Sequence, residues 1–326
     1  MKLKSIFLLC SLNICSFCKT LPKFVPVSDH KESKILSAGR ERVFRYYLPR
    51  ENQTTAKPLI FVLHGGGGNG EAMIYLSRIT DYAEEEDFIV VYPTGYANRW
   101  NDGRGIQRFI TDQLNIDDVQ FFRDMIEFFK MNYNVDSQRI HVVGISNGGF
   151  MAQRLICEAS DLFASGFSVA ATSSVFIANS CNIQSPVSVG FIFGKKDDII
   201  PFNGGNIYIP VSSEPNAERL PGGESLSYQD TVQLWKNRLK CDLEDFQIIE
   251  SLSRRKNGEI IKQTYMNSNT NSRLEAHLIE KGGHVWPHGF FYVNEKNYGY
   301  LTDDIDASRI VLNFFKQTPK IRIGVN

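Results

Sequence analysis

Five short apolar runs alternate along the chain with segments that have helical periodicity. The runs are PLIFVLHG (58–65), FIVVYPTG (88–95), RIHVVGIS (139–146), FSVAAT (167–172) and VSVGFIFG (187–194). Short runs of this composition are typical of strands that are buried on both faces. Because helices connect such strands in parallel, the sequence predicts an α/β fold with a mostly parallel central sheet and helices on both faces.

The remaining segments extend this pattern without suggesting a second domain. Helices are predicted over 70–86, 116–133, 224–240 and 304–317, and a hairpin over 246–266 turning at Asn257-Gly258. RLEAHLIEKGG, residues 273–283, reads as a late strand. No repeat or internal linker interrupts the sequence from residue 38 onward. Residues 38–326 are therefore predicted to form a single catalytic domain.

The first residues indicate export. MKLK is a short basic segment, and the apolar stretch after it, residues 5–17, is too short to span a membrane. Residues 1–18 are therefore predicted to be a cleaved signal peptide, followed by a polar linker over 19–37. A buried N-terminal helix is the alternative. We expect a secreted protein, extracellular or periplasmic, with no membrane association.

Charge and metal-ligand patterns narrow the possible partners. Lys plus Arg and Asp plus Glu both number 36, so no net charge attracts nucleic acid or an anionic membrane. No H-E-x-x-H and no paired-cysteine motif occurs. We therefore expect neither a metal nor a cofactor, and the oligomeric state stays open.

Gly144-Ile145-Ser146-Asn147-Gly148 matches G-x-S-x-G. A predicted strand precedes it and a helix-compatible segment follows, which is the context that a nucleophile elbow requires. Ser146 is therefore a candidate nucleophile, with an ordinary turn serine as the alternative. The backbone N–H of Asn147 lies at the predicted helix N-terminus, where it can face an oxyanion.

An acid and a base are expected after later strands. Asp197 and Asp198 follow the strand that ends at residue 194, although beside two lysines they could form only a solvated turn. His284 alone among the histidines is both late and at a strand end.

The glycine-rich LHGGGGNG, residues 63–70, supplies a second oxyanion donor near Gly66. A phosphate loop is the alternative for this segment, but no Lys-Ser/Thr follows at the required spacing.

Several motifs occur in the order found in one family. They are LHGGGGNG, FIVVYPTG, RWNDG, DDVQFF, VDSQRIHVVGISNGGFMAQRLICE, LFASGFSVAA, FGKKDDIIPFNGG and GGHVWP. From about Arg42 to Phe315 the chain resembles the secreted esterases grouped with polyhydroxybutyrate depolymerases, feruloyl esterases and acetylxylan esterases. The resemblance implies an α/β-hydrolase fold, no cofactor, and a triad of Ser146, Asp197 and His284. Asp197 is preferred over Asp198 because the family aspartate stands three residues after the glycine.

The resemblance also implies a substrate class. SNGG after the strand is similar to the feruloyl-esterase branch, which favours a polymer-linked feruloyl or acetyl ester of plant-type polysaccharide. A polyhydroxybutyrate depolymerase and a non-catalytic binding protein are the alternatives. The short segment between the strands at 167–172 and 187–194 leaves no room for an inserted lid, so an open cleft is expected. Trp286 and Trp100 are candidates for lining it, with core packing an equal alternative for Trp100.

The family also has a cysteine after RLICE, which suggests a bridge between Cys157 and Cys181. Cys241 is expected to lack a partner, because the family cysteine that often follows the hairpin is missing from YMNSNTNSR.

Overall fold

The structure, a computed structural model, describes residues 24–49, 55–212, 214–249, 251, 258–290 and 295–320. The predicted signal peptide, residues 1–18, and the predicted hairpin residue Asn257 lie outside this part of the chain. The strands are, in chain order, β1 (Lys31–Ser37), β2 (Arg40–Tyr47), β3 (Lys57–Leu63), β4 (Ile89–Pro93), β5 (Val135–Ile145), β6 (Ser165–Val169), β7 (Ser188–Gly194), β8 (Gly205–Pro210), β9 (Arg219–Ser225), β10 (Leu243–Ile249), β11 (Ile260–Met266) and β12 (Arg273–Ile279).

Helices separate most of these strands, as the sequence predicts. They are α1 (Gly70–Ser77), α2 (Thr80–Glu86), α3 (Ile110–Gln113), α4 (Asp118–Asn132), α5 (Asn147–Glu158), α6 (Val175–Ser180), α7 (Tyr228–Arg238), α8 (Glu295–Tyr298) and α9 (Ala307–Gln317). In the described part of the chain, no helix is long and apolar enough to cross a membrane.

Ten strands form one sheet in the order β1-β2-β4-β3-β5-β6-β7-β12-β11-β10. The six strands from β4 to β12 pair in parallel, and an antiparallel hairpin closes each edge. Parallel pairing brings the carboxyl ends of β3, β5, β7 and β12 to the same edge of the sheet. The α/β-hydrolase architecture predicted from the sequence is therefore confirmed.

The core has two layers, one on each face of the sheet. Along β3, Phe61 points into one layer, whereas Ile60 and Val62 point into the other. Helices α4, α5 and α7 cover the first face, and α1, α2 and α9 cover the second. Because all seven residues of β3 are buried, its near-continuous apolar sequence is explained by burial on both sides.

Three local predictions are wrong. The residues assigned to a polar linker, 19–37, include the edge strand β1, whose alternating exposed side chains resemble a linker composition. The helix predicted over 70–86 divides into α1 and α2, because Arg78 adopts a left-handed φ of 53° and ends α1. The antiparallel pair β8 and β9 was not predicted, since its sequence is rich in proline and glycine.

A disulfide joins Cys157 in α5 to Cys181 at the end of α6, with the two Cα atoms 4.8 Å apart. The expected bridge is therefore confirmed. Within the described residues Cys241 is a free, half-buried cysteine, as expected.

Candidate active site

Ser146 lies at the turn between β5 and α5 in a strained backbone conformation. Its φ is 56° and its ψ is −121°, which is rare for a residue with a side chain. The flanking glycines permit the turn. A Cβ on Gly144 would lie 2.2 Å from the carbonyl oxygen of Gly148, and a Cβ on Gly148 would lie 2.6 Å from that of His64. Both flanks of Ser146 therefore need glycine, as a nucleophile elbow does.

His284 and Asp197 contact each other beyond the ends of β12 and β7. His284 Nδ1 lies 2.7 Å from Asp197 Oδ2, and both side chains are buried. The other carboxylate oxygen, Oδ1, accepts hydrogen bonds from the backbone N–H groups of Ile199 and Ile200, each at 2.8 Å. Asp198 is exposed. The carboxylate that meets the histidine is therefore that of Asp197.

Ser146, Asn147 and His284 line one cavity of about 540 Å³. The structure records no direct hydrogen bond between Ser146 and His284 among the described residues. Hydrogen bonds between a nucleophile and its base are often long before substrate binds, so the lack of one here does not argue against this pair of residues. The two other strand histidines are packed in the fold. His141 stacks on Phe315, and His277 contacts Glu275 at 2.8 Å.

His64 fixes the glycine-rich loop that follows β3. Its Nε2 accepts a hydrogen bond from the N–H of Gly95 at 2.9 Å, so Nδ1 carries the proton and donates to the carbonyl of Gly65 at 2.7 Å. Burial lowers the pKa of His64 to about 4. The neutral imidazole therefore connects the glycine-rich loop, which contains Gly66, to the loop after β4.

The side chain of Asn147 ties the elbow to the same second loop. Its Oδ1 accepts from the N–H of Trp100 at 2.9 Å, and its Nδ2 donates to the Trp100 carbonyl at 3.0 Å and to Asp102 at 2.6 Å. Asp102 also binds Arg104, and both side chains are almost fully buried. Sequence reasoning assigned only the backbone of Asn147 a role and missed this network. A single sequence does not indicate that the loop with Trp100 and Asp102 lies next to Asn147 in the folded chain.

The two tryptophans differ in position. Trp286 is in the cavity wall, with its Nε1 donating to Ser308 at 3.0 Å. Trp100 is buried outside the lining and donates from Nε1 to the His64 carbonyl at 2.9 Å. Trp100 as a lining residue is therefore wrong and its packing alternative is right, because the indole is held under the glycine-rich loop.

The β8–β9 hairpin forms another wall of the cavity. Ile207, Ile209, Pro210 and Val211 all line it. Arg104 Nη1 donates to the carbonyl of Gly222 in β9 at 2.7 Å, which fastens the hairpin to the loop after β4. The segment before β7 holds only α6 between β6 and β7, as its length predicts. The β8–β9 hairpin, which follows Asp197 in the chain, nevertheless covers the cleft on one side.

Arg99 is a lining residue that sequence reasoning also missed. Its guanidinium lies against Gly66, where an added Cβ would be 2.7 Å from Nη1. Nothing in its sequence context distinguishes it from an ordinary loop arginine. In the described residues, no group of three or more His, Cys, Asp or Glu side chains could hold a metal ion.

Part of the chain matches a known family model, and proteins named as esterases are similar to it. The prolyl oligopeptidase family model matches residues 75–181, which include Ser146 but neither Asp197 nor His284. A protein named "Putative esterase NocK" from Nocardia uniformis is 26% identical over 275 residues, covering 82% of this chain and 77% of its own length.

Two further relatives carry more specific names. The bifunctional acetylxylan esterase/xylanase XynS20E of Neocallimastix patriciarum is 27% identical over 54% of this chain and 24% of its own length. Feruloyl esterase B of Neurospora crassa is 29% identical over 37% of this chain and 42% of its own length. The chain thus spans less than half the length of these two relatives.

A solved structure shows the same fold. The acetyl xylan esterase from Aspergillus awamori superposes with a TM-score of 0.51 at 14% identity, covering 78% of this chain and 94% of that one. At this identity the likeness shows the fold alone.

Proposed function

We propose that this chain, a serine esterase of the α/β-hydrolase class with homology to acetylxylan and feruloyl esterases, is a secreted hydrolase of feruloyl or acetyl esters of plant-type polysaccharide. The observation that carries the proposal is the 2.7 Å contact between His284 and Asp197 beside the cavity that contains Ser146. A serine, a histidine and a buried carboxylate that contacts the histidine are the groups that acyl transfer requires.

In the proposed reaction Ser146 is the nucleophile. Asp197 accepts a hydrogen bond from the Nδ1–H of His284, which leaves Nε2 unprotonated and able to remove the proton from Ser146 Oγ. Oγ attacks the ester carbonyl carbon, and the carbonyl electrons move to the oxygen. When this tetrahedral intermediate collapses, His284 donates its proton to the leaving alcohol and an acyl-enzyme remains. Water, deprotonated by His284, then attacks the acyl carbon. When this second tetrahedral intermediate collapses, the acid leaves and His284 returns the proton to Ser146 Oγ.

The oxyanion is proposed to bind the backbone N–H groups of Gly66 and Asn147. The N–H of Gly67 donates to Asn98 at 2.8 Å, and that of Gly68 donates to Gly65 at 3.1 Å. Among the described residues the N–H of Gly66 has no recorded acceptor, and Asn147 N–H opens helix α5. Two N–H groups are therefore available beside Ser146 for the developing charge.

The shape of the cavity supports a compact or aromatic acyl group. Apolar side chains from β8 and from the segment after Asp197 line one side, and Trp286 lines another. We expect Trp286→Ala to reduce turnover of methyl ferulate more than that of p-nitrophenyl acetate, because the indole contributes apolar contact area to the larger acyl group.

The disulfide supports the proposed secretion, because such bonds persist in oxidising compartments. N-terminal sequencing of protein recovered from the medium or periplasm tests it. A mature chain that starts near Lys19 is expected, and an intact Met1 in the cytoplasm would contradict export.

The activity is tested by supplying the mature protein with p-nitrophenyl acetate, methyl ferulate, acetylated xylan and polyhydroxybutyrate in parallel. Hydrolysis of the first three is expected, with Ser146→Ala lowering kcat by roughly 10⁶. A fluorophosphonate adduct on another serine would reject Ser146. Clearing of polyhydroxybutyrate without action on ferulate or acetylated xylan would reject the substrate while keeping the chemistry.

A further inference from the structure

Arg99 places a cationic group inside the cavity that contains Ser146. It follows β4 in the loop that also holds Trp100, and its side chain lines the cavity. The guanidinium carbon lies 3.5 Å from the ring centroid of Phe109. On its other side the guanidinium lies against Gly66 of the glycine-rich loop. Arg99 is thus held between an aromatic ring and the proposed oxyanion donor.

The charges around this cavity are unequal. Arg104, the other lining arginine, has a carboxylate partner, since its Nη2 lies 2.6 Å from Asp102. Among the described residues Arg99 makes no ion pair within 4.0 Å and no recorded hydrogen bond, and no Asp or Glu lines the cavity. Arg99 is therefore a cation without a direct carboxylate partner in this lining, and the carboxylates of Asp102 and Asp112 act on it only from beyond 4.0 Å.

Burial, followed by the nearby charge of Arg104, lowers the pKa of Arg99 to about 10. The guanidinium is still protonated at neutral pH. A partly buried cation without an anionic partner is unfavourable, and an arginine fork matches the two oxygens of a carboxylate. A substrate anion would supply the partner that the described residues do not.

We propose that Arg99 is a specificity-determining residue that binds a carboxylate of the substrate, so that the enzyme prefers anionic esters over neutral esters of the same size. The proposal rests on the proposed ester hydrolysis at Ser146. Arg99 contacts Gly66, so the carboxylate lies on the oxyanion side of the scissile bond. Two sources have this chemistry: an acyl group with a second carboxyl, and an acidic sugar of the polysaccharide that carries the ester.

The first arm of the test uses ethyl butanoate and the monoethyl half-ester of butanedioic acid, which have equal acyl chain lengths, and acid release is followed in a pH-stat. The quantity compared is the ratio of kcat/KM for the anionic ester to that for the neutral ester. In Arg99→Gln we expect this ratio to fall at least about tenfold, because a charge-assisted hydrogen bond is lost. In Arg99→Lys, which retains the positive charge but not the two-pronged guanidinium, the ratio should fall less.

Arg108→Gln is the matched control. Arg108 also stacks on Phe109, at 4.3 Å from the ring centroid, and its Nε donates to the Pro221 carbonyl in β9 at 2.8 Å, but it is exposed and absent from the cavity lining, so it controls for packing on Phe109 and on the hairpin. The ratio should be unchanged in this variant. A loss as large as in Arg99→Gln would indicate a general field or a packing effect through Phe109 and would overturn the proposal.

The second arm compares acetylated galacturonan with acetylated neutral xylan and places the carboxylate on the sugar. If the preference for the anionic substrate depends on Arg99 in the first arm, the carboxylate that Arg99 binds is on the acyl group. If it depends on Arg99 in the second arm, the carboxylate is on the sugar. Arg99→Gln could instead lower kcat/KM by the same factor for the anionic and the neutral substrate in both arms. Arg99 would then only support the glycine-rich loop, and the proposal would be wrong. Absence of any anionic preference in the unmodified enzyme would also reject it.

Binding separates this proposal from the proposed function. Calorimetry with the Ser146→Ala chain and the butanedioic half-ester measures recognition without turnover. If the first arm places the carboxylate on the acyl group, we expect Arg99→Gln in that background to weaken binding of this half-ester at least about tenfold. If the second arm places it on the sugar, we expect the same loss for acetylated galacturonan, and equal binding of both ligands would overturn the proposal. If Ser146→Ala retained esterase activity, the proposed function would fail, while this binding comparison would still decide the role of Arg99.

Discussion

Asp197 uses its two carboxylate oxygens for different tasks. Oδ2 contacts His284 Nδ1 at 2.7 Å, while Oδ1 accepts two backbone N–H groups from the turn that follows, those of Ile199 and Ile200. The backbone contacts prevent the carboxylate from rotating away from the imidazole. Asp198, one residue later, is exposed to solvent.

The first prediction distinguishes these neighbours. Asp197→Asn should lower kcat by about 10⁴, because an amide no longer holds the imidazole in the tautomer that accepts the serine proton. Asp198→Asn has the same change in charge and size and should lower kcat far less. Steady-state kinetics with p-nitrophenyl acetate measure both. Equal losses would place the acid elsewhere.

A second prediction concerns the buried amide of Asn147. Asn147→Asp places a carboxylate where Nδ2 now lies 2.6 Å from Asp102, so two like charges face each other in a buried site. We expect a loss of about 1–3 kcal/mol in the free energy of unfolding and reduced esterase activity. Urea denaturation checks the stability. Asn313→Asp, at an exposed position inside α9, is the control, and a similar loss there would remove the explanation.

The disulfide gives a third prediction. Cys157 and Cys181 are separated by 24 residues, and closing a loop of this length stabilises a fold by roughly 3 kcal/mol. Replacing both cysteines with alanine should lower the urea midpoint and increase the unfolding slope with denaturant, because the unfolded chain is less compact without the bridge. Cys241→Ala removes a free cysteine and should shift the midpoint little. A midpoint that did not change in the double variant would show that the bridge adds no stability.

Acid stability is the subject of a fourth prediction. Burial lowers the pKa of His64 to about 4 and that of His141 to about 3. In the unfolded chain both protonate near the ordinary value of about 6.5. Between these values the unfolded chain binds more protons, so the free energy of unfolding falls as pH falls below about 6.5. The slope is at most about 1.4 kcal/mol per pH unit for each histidine.

Equilibrium unfolding in urea from neutral pH to about pH 4.5 measures this slope. His141→Gln should be less stable at neutral pH but should show a shallower slope, because the titrating group is gone. His288→Gln removes an exposed histidine and should retain the slope of the unmodified protein. A slope unchanged in His141→Gln would mean that other groups cause the acid sensitivity.

Much of the candidate site could be predicted because its residues come directly after strands that the sequence makes recognisable. Ser146 and Asp197 each follow an apolar strand that burial on both faces makes recognisable. His284 follows β12, in which polar and apolar residues are mixed, and parallel pairing brings the three strand ends together. The turn at Ser146 was predictable from its glycines for the same reason. Local sequence and global topology agree at these positions.

Other parts depend on contacts between distant loops. The hydrogen bonds of Asn147 to Trp100 and Asp102 join residues that are 45 to 47 positions apart. Arg99 has no periodic context, and β1 is a polar edge strand whose exposed side chains resemble a linker. The β8–β9 hairpin contains Pro221, Gly222 and Gly223, which a sequence pattern assigns to a loop. Only tertiary packing determines these features.

The two ends of the segment that contains the β8–β9 hairpin lie next to each other. Gly204 N–H donates to the Pro201 carbonyl, and Tyr228 N–H donates to the Phe202 carbonyl at 2.9 Å, so the two ends of the segment are held side by side. An insertion with adjoining ends can be exchanged without moving the strands that carry Ser146, Asp197 and His284. Grafting a different hairpin between Phe202 and Tyr228 is therefore a route to new ester selectivity on an unchanged reaction centre.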